Sequence, residues 1–275
     1  MSYSANSWFS IIPAHYVSRT SGPIFKLNKN DPLAKLHANF WPTIIKDRDE
    51  HSGVDDREDT GDDDDIGIDA TEDTDDEDKK DESDDGEVGS GCHILNIRIP
   101  EIHTKVWVRK EYIRLYDYCN EYVHSQRENM EPLSVVIFGQ PGIGESFRFV
   151  ILPSGLTNLL QGKTCWVIYA LHRCLTEGKP VIWYHNSRQF LSVEEGVFEL
   201  PEDFPATIFK TRVWTLVDSD ESPTGVPPRL AVHYTKHFNI YTSSPPSSRW
   251  KPLRKTTQCR EVIMNPWSRE EISQA

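Results

Sequence analysis

Apolar and polar positions follow regular patterns from residue 94 onward, and these patterns predict a series of strands and helices. Residues 94–99 alternate between apolar and polar side chains, as a strand with one exposed face does. Residues 106–123 place apolar side chains at steps of three and four, which predicts a helix. Residues 133–138 form a continuous apolar run, which predicts a buried strand.

The same patterns continue toward the C-terminus and predict an α/β fold. A helix is expected over residues 164–177, ended by Gly178, and a hairpin over residues 190–200. Further buried strands are predicted at 180–184, 213–217 and 238–242, and another helix after Ser268. Strands that alternate with helices favour a parallel sheet whose strands are joined by crossover helices.

The acidic charge of the chain is concentrated in one segment. The formal net charge is −13, yet residues 47–87 alone carry 23 acidic and 4 basic side chains. The rest of the chain is therefore mildly basic. Such a segment repels itself and has too few apolar side chains to form a core, which predicts disorder. We expect an N-terminal arm (residues 1–46), an acidic disordered linker (47–91) and a folded domain (92–275).

Composition also limits the environment of the protein. Five cysteines without a Cys-x-x-Cys pair predict free thiols in a reducing, intracellular compartment. No apolar stretch reaches the length of a membrane span, so no membrane association is expected. The N-terminus lacks the basic and apolar regions of a secretory signal.

A phosphate-binding loop divided into two parts is the main chemical signal. Directly after the apolar run 133–138, the chain reads Gly139-Gln140-Pro141-Gly142-Ile143-Gly144 and then Glu145. The Lys-Thr pair that would complete a Walker A motif is found at Lys163-Thr164, where a helix is predicted to begin. Removing residues 145–162 joins the two parts into one G-x-x-x-x-G-K-T motif between a strand and a helix.

The chemistry of phosphate binding explains why the interruption matters. In such a loop, backbone N–H groups surround the phosphates of ATP, the lysine contacts the terminal phosphates, and the threonine hydroxyl binds Mg²⁺. Glu145 stands where the lysine belongs, and its carboxylate would repel phosphate. We therefore predict that residues 145–162 are an insertion, such as a translated intron. The other interpretation is a glycine-rich turn followed by an unrelated Gly-Lys-Thr.

Other candidate site residues follow the later strands. Asp218 ends the apolar run 213–217, as the Walker B aspartate of an NTPase does, and is a candidate Mg²⁺ residue. Asp220 is a candidate for polarising the attacking water, or a solvated loop carboxylate. Ser244 and Arg249 follow the next strand, where they would sense the γ-phosphate and stabilise phosphoryl charge, or belong to a surface turn. His233 and His237 lack a third metal ligand, which favours structural roles.

Several phrases of the sequence resemble a known protein family. They are Val-Arg-Lys-Glu-Tyr-Ile-Arg-Leu-Tyr at 108–116, the divided loop, Trp-Thr-Leu-Val-Asp-Ser-Asp at 214–220, and Met-Asn-Pro-Trp-Ser-Arg-Glu-Glu-Ile at 264–272. Together they resemble fungal proteins related to Crinkler and retrotransposon-hot-spot proteins, a P-loop NTPase group of the AAA/STAND type. The resemblance implies an ATP-binding α/β core, with Lys163, Thr164, Asp218, Ser244 and Arg249 at the matching site positions. It also implies action in nuclei and, since relatives continue past this point, a truncated module.

Three functions remain open from the sequence. The leading expectation is an ATP-binding P-loop domain that hydrolyses ATP where its loop is intact. The second is an NTPase fold without catalysis that serves as an interaction or effector-like module, with the acidic segment as a possible site for a protein partner. The third is a nucleic-acid binder that uses the basic body, although no interleaved Arg/aromatic motif supports it.

Overall fold

The computed structural model describes residues 11–12, 24–42, 93–99, 102–126, 131–139, 150–152, 155–157, 162–202, 204–219, 225–230, 232, 235–243 and 247–274. All of them belong to one compact unit, which residues 1–42 and 92–275 form together. The acidic segment predicted to be disordered lies outside the described residues.

The described chain is a mixed α/β structure with one large, mostly parallel sheet. Its strands are β1 Phe25–Lys26, β2 His93–Ile99, β3 Ile102–Val108, β4 Leu133–Phe138, β5 Val150–Leu152, β6 Gly155–Thr157, β7 Val181–His185, β8 Arg188–Val193, β9 Gly196–Leu200, β10 Val213–Asp218, β11 His237–Ser243 and β12 Gln258–Ile263. Its helices are α1 Pro32–Phe40, α2 Lys110–Ser125, α3 Lys163–Thr176, α4 Lys251–Thr256 and α5 Arg269–Gln274.

The large sheet has eight strands in the order β1-β9-β8-β7-β10-β11-β4-β12. The five strands from β7 to β12 in this order run parallel to one another, and β8, β9 and β1 extend the sheet by antiparallel pairing. Two hairpins, β2–β3 and β5–β6, form separate two-stranded sheets.

Helices cover the two faces of the parallel strands differently. Val135 and Ile137 of β4 pack in the same core cluster as α1, α2 and α3, whereas Val136 packs with Leu253 of α4. Because side chains alternate along a strand, α3 and α4 lie on opposite faces of the sheet. After β4 the chain continues to α3 on one face of the sheet, and after the adjacent strand β11 it continues to α4 on the opposite face. In open α/β sheets, such a point is where ligands bind, at the carboxyl ends of the strands.

One predicted helix is wrong at its start. Residues 106–108 belong to β3, which pairs with β2, and α2 begins only at Lys110. The apolar residues 106 and 108 fit both the helical and the alternating pattern, and pairing with β2 decides between them. The helical face itself is as expected, since Tyr112, Leu115 and Cys119 are buried in α2.

Residues 24–42 of the N-terminal arm are part of the folded domain. β1 pairs with β9, and Leu33 and Leu36 of α1 are buried in the core. Asp31 caps α1 by accepting a hydrogen bond from the Leu33 N–H at 2.8 Å. A hydrogen bond of 2.7 Å between the His37 ring and the Val193 carbonyl fixes α1 to β8.

The four described cysteines, Cys119, Cys165, Cys174 and Cys259, are free thiols. Burial raises the pKa of the Cys174 thiol to about 12, so it stays protonated and unreactive. No helix among the described residues combines the length and apolar character that crossing a membrane requires.

Candidate functional site

The carboxyl edge of the parallel sheet collects the predicted site residues that the structure describes. Gly139 directly follows β4, Asp218 ends β10, and Lys163 and Thr164 open α3. Arg249 closes the short 3₁₀ turn before α4. Gln140, Pro141, Gly142, Ile143, Gly144, Asp220 and Ser244 lie outside the described residues.

Asp218 lies at the centre of this edge. It is 3% exposed, and its Oδ1 accepts a hydrogen bond from the Thr242 hydroxyl of β11 at 3.2 Å. The Ser219 N–H donates to the Thr242 carbonyl at 2.9 Å, which fixes the backbone just beyond the strand. The buried Ser219 hydroxyl has no hydrogen-bond partner in the described part of the chain. The edge therefore holds an acidic and a hydroxyl group together in a buried position.

The start of α3 lies close to Asp218. Burial and, after it, the charge of the Asp218 carboxylate raise the pKa of the Cys165 thiol in the first turn of α3. α3 also packs against β10, the strand that Asp218 ends. Lys163 and Thr164 come directly before Cys165 and are half-buried. The structure thus brings the Lys-Thr pair and the Walker B candidate to the same edge.

The N-terminus of α3 has the features of an anion site. Its N-cap is Gly162, whose φ of 88° and ψ of −138° suit only glycine, and no side chain caps the helix. The first turn contains no acidic residue. The free N–H groups of a first turn carry partial positive charge and favour phosphate.

Tyr112 of α2 holds Gly162 in place, a role that the sequence did not predict. The Tyr112 hydroxyl donates to the Gly162 carbonyl and accepts from the Gly162 N–H, both at 3.0 Å. The Trp166 indole donates to the Tyr112 carbonyl at 3.2 Å. These bonds fix the start of α3 to α2. The only sequence signal for Tyr112 is its place in the phrase 108–116 that carries the family resemblance.

A second buried network joins α2 to the C-terminal segment. Arg109 is 0% exposed, donates to Glu271 at 3.2 Å and lies over the Trp267 ring at 4.5 Å. Beside it, Glu111 accepts from the Asn265 N–H at 2.7 Å. Burial alone would raise the pKa of Glu111, but hydrogen bonds from Arg114 and Asn265 outweigh it and lower the pKa. The C-terminal segment is therefore anchored to the helix that holds α3.

Arg249 occupies the opposite face of the same edge. Its carbonyl accepts from the Val226 N–H at 3.3 Å, and the next residue, Trp250, stacks on Phe138 at the end of β4. This places the backbone of Arg249 near the point where the glycine-rich loop begins.

Of the two histidines considered as metal ligands, the structure describes His237, which has a structural partner. His237 is buried, and its Nδ1 hydrogen-bonds to the Thr215 hydroxyl at 2.7 Å, while His233 is outside the described residues. Across the described ranges, no group of three or more His, Cys, Asp or Glu residues is placed to hold a metal ion. A P-loop Mg²⁺ does not need such a group, since phosphate oxygens and water complete its ligands.

The insertion region contains one described feature. β5 and β6 form an antiparallel hairpin between the two parts of the phosphate loop, and among the described strands each pairs with the other alone. The large sheet is therefore complete without them.

Comparisons with protein-family models, curated proteins and solved structures give no match for this chain. The argument for function consequently depends on the residues and their arrangement.

Proposed function

We propose that the protein is a P-loop nucleotide-binding domain that takes ATP with Mg²⁺ at the carboxyl edge of its sheet, and that its phosphate loop is interrupted by residues 145–162. The observation that carries the proposal is the position of Lys163 and Thr164 at the start of α3, which no side chain caps and which packs against β10, the strand that Asp218 ends. A lysine, a threonine and an aspartate are the groups that a Mg²⁺-nucleotide site requires.

The order of the strands supports this proposal. β11 lies between β4, which leads into the glycine-rich loop, and β10, which ends in Asp218. This order brings the carboxyl ends of β4 and β10 to the same edge of the sheet, on either side of β11. The connection from β4 to α3 also brings the N-terminus of the helix to the carboxyl edge of the sheet, at the switch point where ligands bind.

The residues present fit a Mg²⁺-phosphate group. The α3 N-terminus offers uncapped N–H donors, Lys163 adds a positive charge, and Thr164 adds a hydroxyl. Asp218 and Ser219 are buried polar residues at the end of β10. Bound Mg²⁺ would supply charge neutralisation for the phosphates, and these side chains would orient it.

The insertion limits what the chain can bind as it stands. Glu145 follows Gly144 where a lysine is needed, and Lys163 comes only after the β5–β6 hairpin. We expect weak or absent ATP binding by the full chain and restored binding after residues 145–162 are deleted.

Calorimetry with Mg·ATP on matched proteins tests the proposal. The full chain, the deletion of 145–162, and the deletion carrying Lys163→Ala are compared, with Lys255→Ala in the deletion as an exposed-lysine control. Loss of a charge-assisted hydrogen bond is worth about 1.5–3 kcal/mol, so Lys163→Ala should weaken ATP binding by roughly 10- to 150-fold. The Lys255→Ala control should bind as the deletion does.

A phosphate-release assay distinguishes the expected role of Asp218 in hydrolysis from the role of Lys163 in binding. In the deletion background, Asp218→Asn should abolish Mg²⁺-dependent phosphate release and retain part of the nucleotide binding. Equal ATP binding by the full chain and the deletion, or no binding by either, would contradict the proposal. No binding by either would favour the second candidate, an interaction module that keeps this fold without catalysis.

A further inference from the structure

One stretch of the sequence is basic without any compensating acidic residue. The 39 residues between Glu221 and Glu261 contain seven lysines and arginines and no aspartate or glutamate. Four of the seven lie in α4 and in the 3₁₀ turn before it. These four side chains, which we call the α4 surface, are Arg249, Lys251, Arg254 and Lys255.

The packing of α4 leaves its basic side chains in solvent. Leu253 is 0% exposed and packs in the core against β4, so the apolar side of the helix faces the sheet. Lys251, Arg254 and Lys255 are exposed, and Arg249 is half-buried. Because Lys251 and Lys255 are four residues apart, they lie on the same side of the helix, about 6 Å apart along its axis.

Three of these four charges have no partner elsewhere in the described chain. Arg254 forms an ion pair with Glu261 of β12. The side chains of Arg249, Lys251 and Lys255 make no ion pair or hydrogen bond with any residue that the structure describes. The α4 surface therefore offers three positive charges that the protein itself does not neutralise.

The net charge of −13 does not cancel this local charge. At 0.1 M salt the Debye length is about 10 Å, so only charges close to a bound anion act on it strongly. A phosphate group in contact with the α4 surface is closest to the unpaired cations. Attraction at this surface is therefore governed by those cations and weakens as salt is added.

The composition of the surface favours nucleic acid over an acidic protein. Protein interfaces bury a core of apolar and aromatic side chains, whereas nucleic-acid interfaces are more polar and much more positively charged. Leu253, the large apolar residue of α4, is already buried. α4 contains no aromatic residue, and Trp250 at its N-cap is 3% exposed, so the helix offers no ring on which an unpaired base could stack. This favours a duplex, which presents its phosphates densely, over a single strand.

We propose that the α4 surface binds the phosphate backbone of a nucleic-acid duplex without reading its sequence. Arg249, Lys251 and Lys255 each contact a phosphate, and Arg254 contributes less because Glu261 partly neutralises it. The inference goes beyond the proposed function and does not depend on ATP binding at α3.

Fluorescence anisotropy with a labelled DNA duplex tests the surface on the full chain, whose acidic segment is then present, and without nucleotide. The logarithm of the affinity should fall with the logarithm of the salt concentration, with a slope of about −0.9 for each neutralised phosphate. Three contacts predict a slope of about −2.7, which makes binding roughly 40-fold weaker at 200 mM than at 50 mM salt.

The double variant Lys251→Gln with Lys255→Gln removes two of the three contacts. Its slope should fall to about −0.9, so the same change in salt should weaken binding only about 3.5-fold. Lys29→Gln with Lys35→Gln is the matched control, because both lysines are exposed, the net charge changes equally and neither belongs to the α4 surface. Glutamine forms helices about as well as lysine, so the unfolding temperature should be unchanged in both.

Four results would overturn the inference. The first is no duplex binding by the full chain at about 0.1 mM protein and 50 mM salt, the weak end of non-specific affinities. The second is an equal slope for the double variant and its control. The third is a single strand of equal length that binds as tightly as the duplex. The fourth is a polyglutamate peptide that binds as tightly as the duplex and depends on the same two lysines, which would assign the surface to an acidic protein. Because no nucleotide is present, a failure of the α3 site cannot produce any of these results.

Discussion

Replacing Tyr112 with phenylalanine should weaken the attachment of α3 to α2. The change removes the fully buried Tyr112 hydroxyl. In the wild-type protein this hydroxyl makes two hydrogen bonds with Gly162, one to its carbonyl and one from its N–H. The Gly162 carbonyl keeps a second partner, since the Trp166 N–H donates to it at 3.0 Å. The Gly162 N–H, in contrast, loses the partner that Tyr112 provides.

The expected magnitude follows from this single lost partner. Leaving one buried N–H unsatisfied costs about 1–3 kcal/mol of unfolding free energy. For a domain of this size, 1 kcal/mol corresponds to roughly 2–4 °C, so Tm should fall by about 2–12 °C. Differential scanning calorimetry measures the change, and hydrogen exchange should show reduced protection of the first turn of α3.

Tyr122→Phe provides the matched control. Its hydroxyl donates to the Gln258 carbonyl at 3.1 Å, in an exposed position where water can replace the bond. Its effect should stay within about 0.5 kcal/mol. If Tyr112→Phe is as stable as Tyr122→Phe, with unchanged exchange in α3, Tyr112 does not hold the start of the helix.

Two further predictions concern stability. Burial lowers the pKa of His237 to about 4, below its ordinary 6.5. Between these two values the unfolded state binds a proton that the folded state does not. The free energy of unfolding is therefore unaffected by His237 above pH 6.5 and decreases as the pH falls from 6.5 toward 4. Urea unfolding between pH 7 and 5 should show the loss, and His237→Gln should show less of it. Gly225→Ala places a Cβ 2.7 Å from the Arg249 carbonyl oxygen at a φ of +109°, and should cost about 1–3 kcal/mol. Gly178→Ala, at a φ of 63°, is the comparison, and an equal cost for both in denaturant melts would disprove the clash.

Much of the sheet was predictable because its central strands are buried on both faces. The runs at β4, β7, β10 and β11 are mostly apolar or aromatic and almost entirely buried, and each was found within one or two residues of its true bounds. β12 was missed, since it lies at the sheet edge and reads Gln-Cys-Arg-Glu-Val-Ile, with no apolar face. An edge strand of this composition is held by backbone pairing with β4, which a side-chain pattern does not reveal.

The positions of the candidate site residues could be predicted where a motif marks the end of an element, and their tertiary contacts could not. Lys163, Thr164 and Asp218 follow from residue types at the ends of elements. Tyr112 contacts Gly162 across 50 positions of sequence, and Arg109 contacts Glu271 across 162. No local pattern contains such contacts, because they depend on how α2 packs against α3 and the C-terminal segment.

The central position of β4 has a consequence for synthesis on the ribosome. Its two neighbours in the sheet are β11, which begins at His237, and β12, which begins at Gln258. Both are translated about a hundred residues after β4, which at 5–20 residues per second means a delay of roughly 5–20 seconds.

During that interval, the strand Leu-Ser-Val-Val-Ile-Phe has neither neighbour available. An apolar, uncharged segment of six residues with unpaired backbone is the type of sequence that associates with other chains. The nascent chain is therefore open to such association at β4 until β11 and β12 have been made.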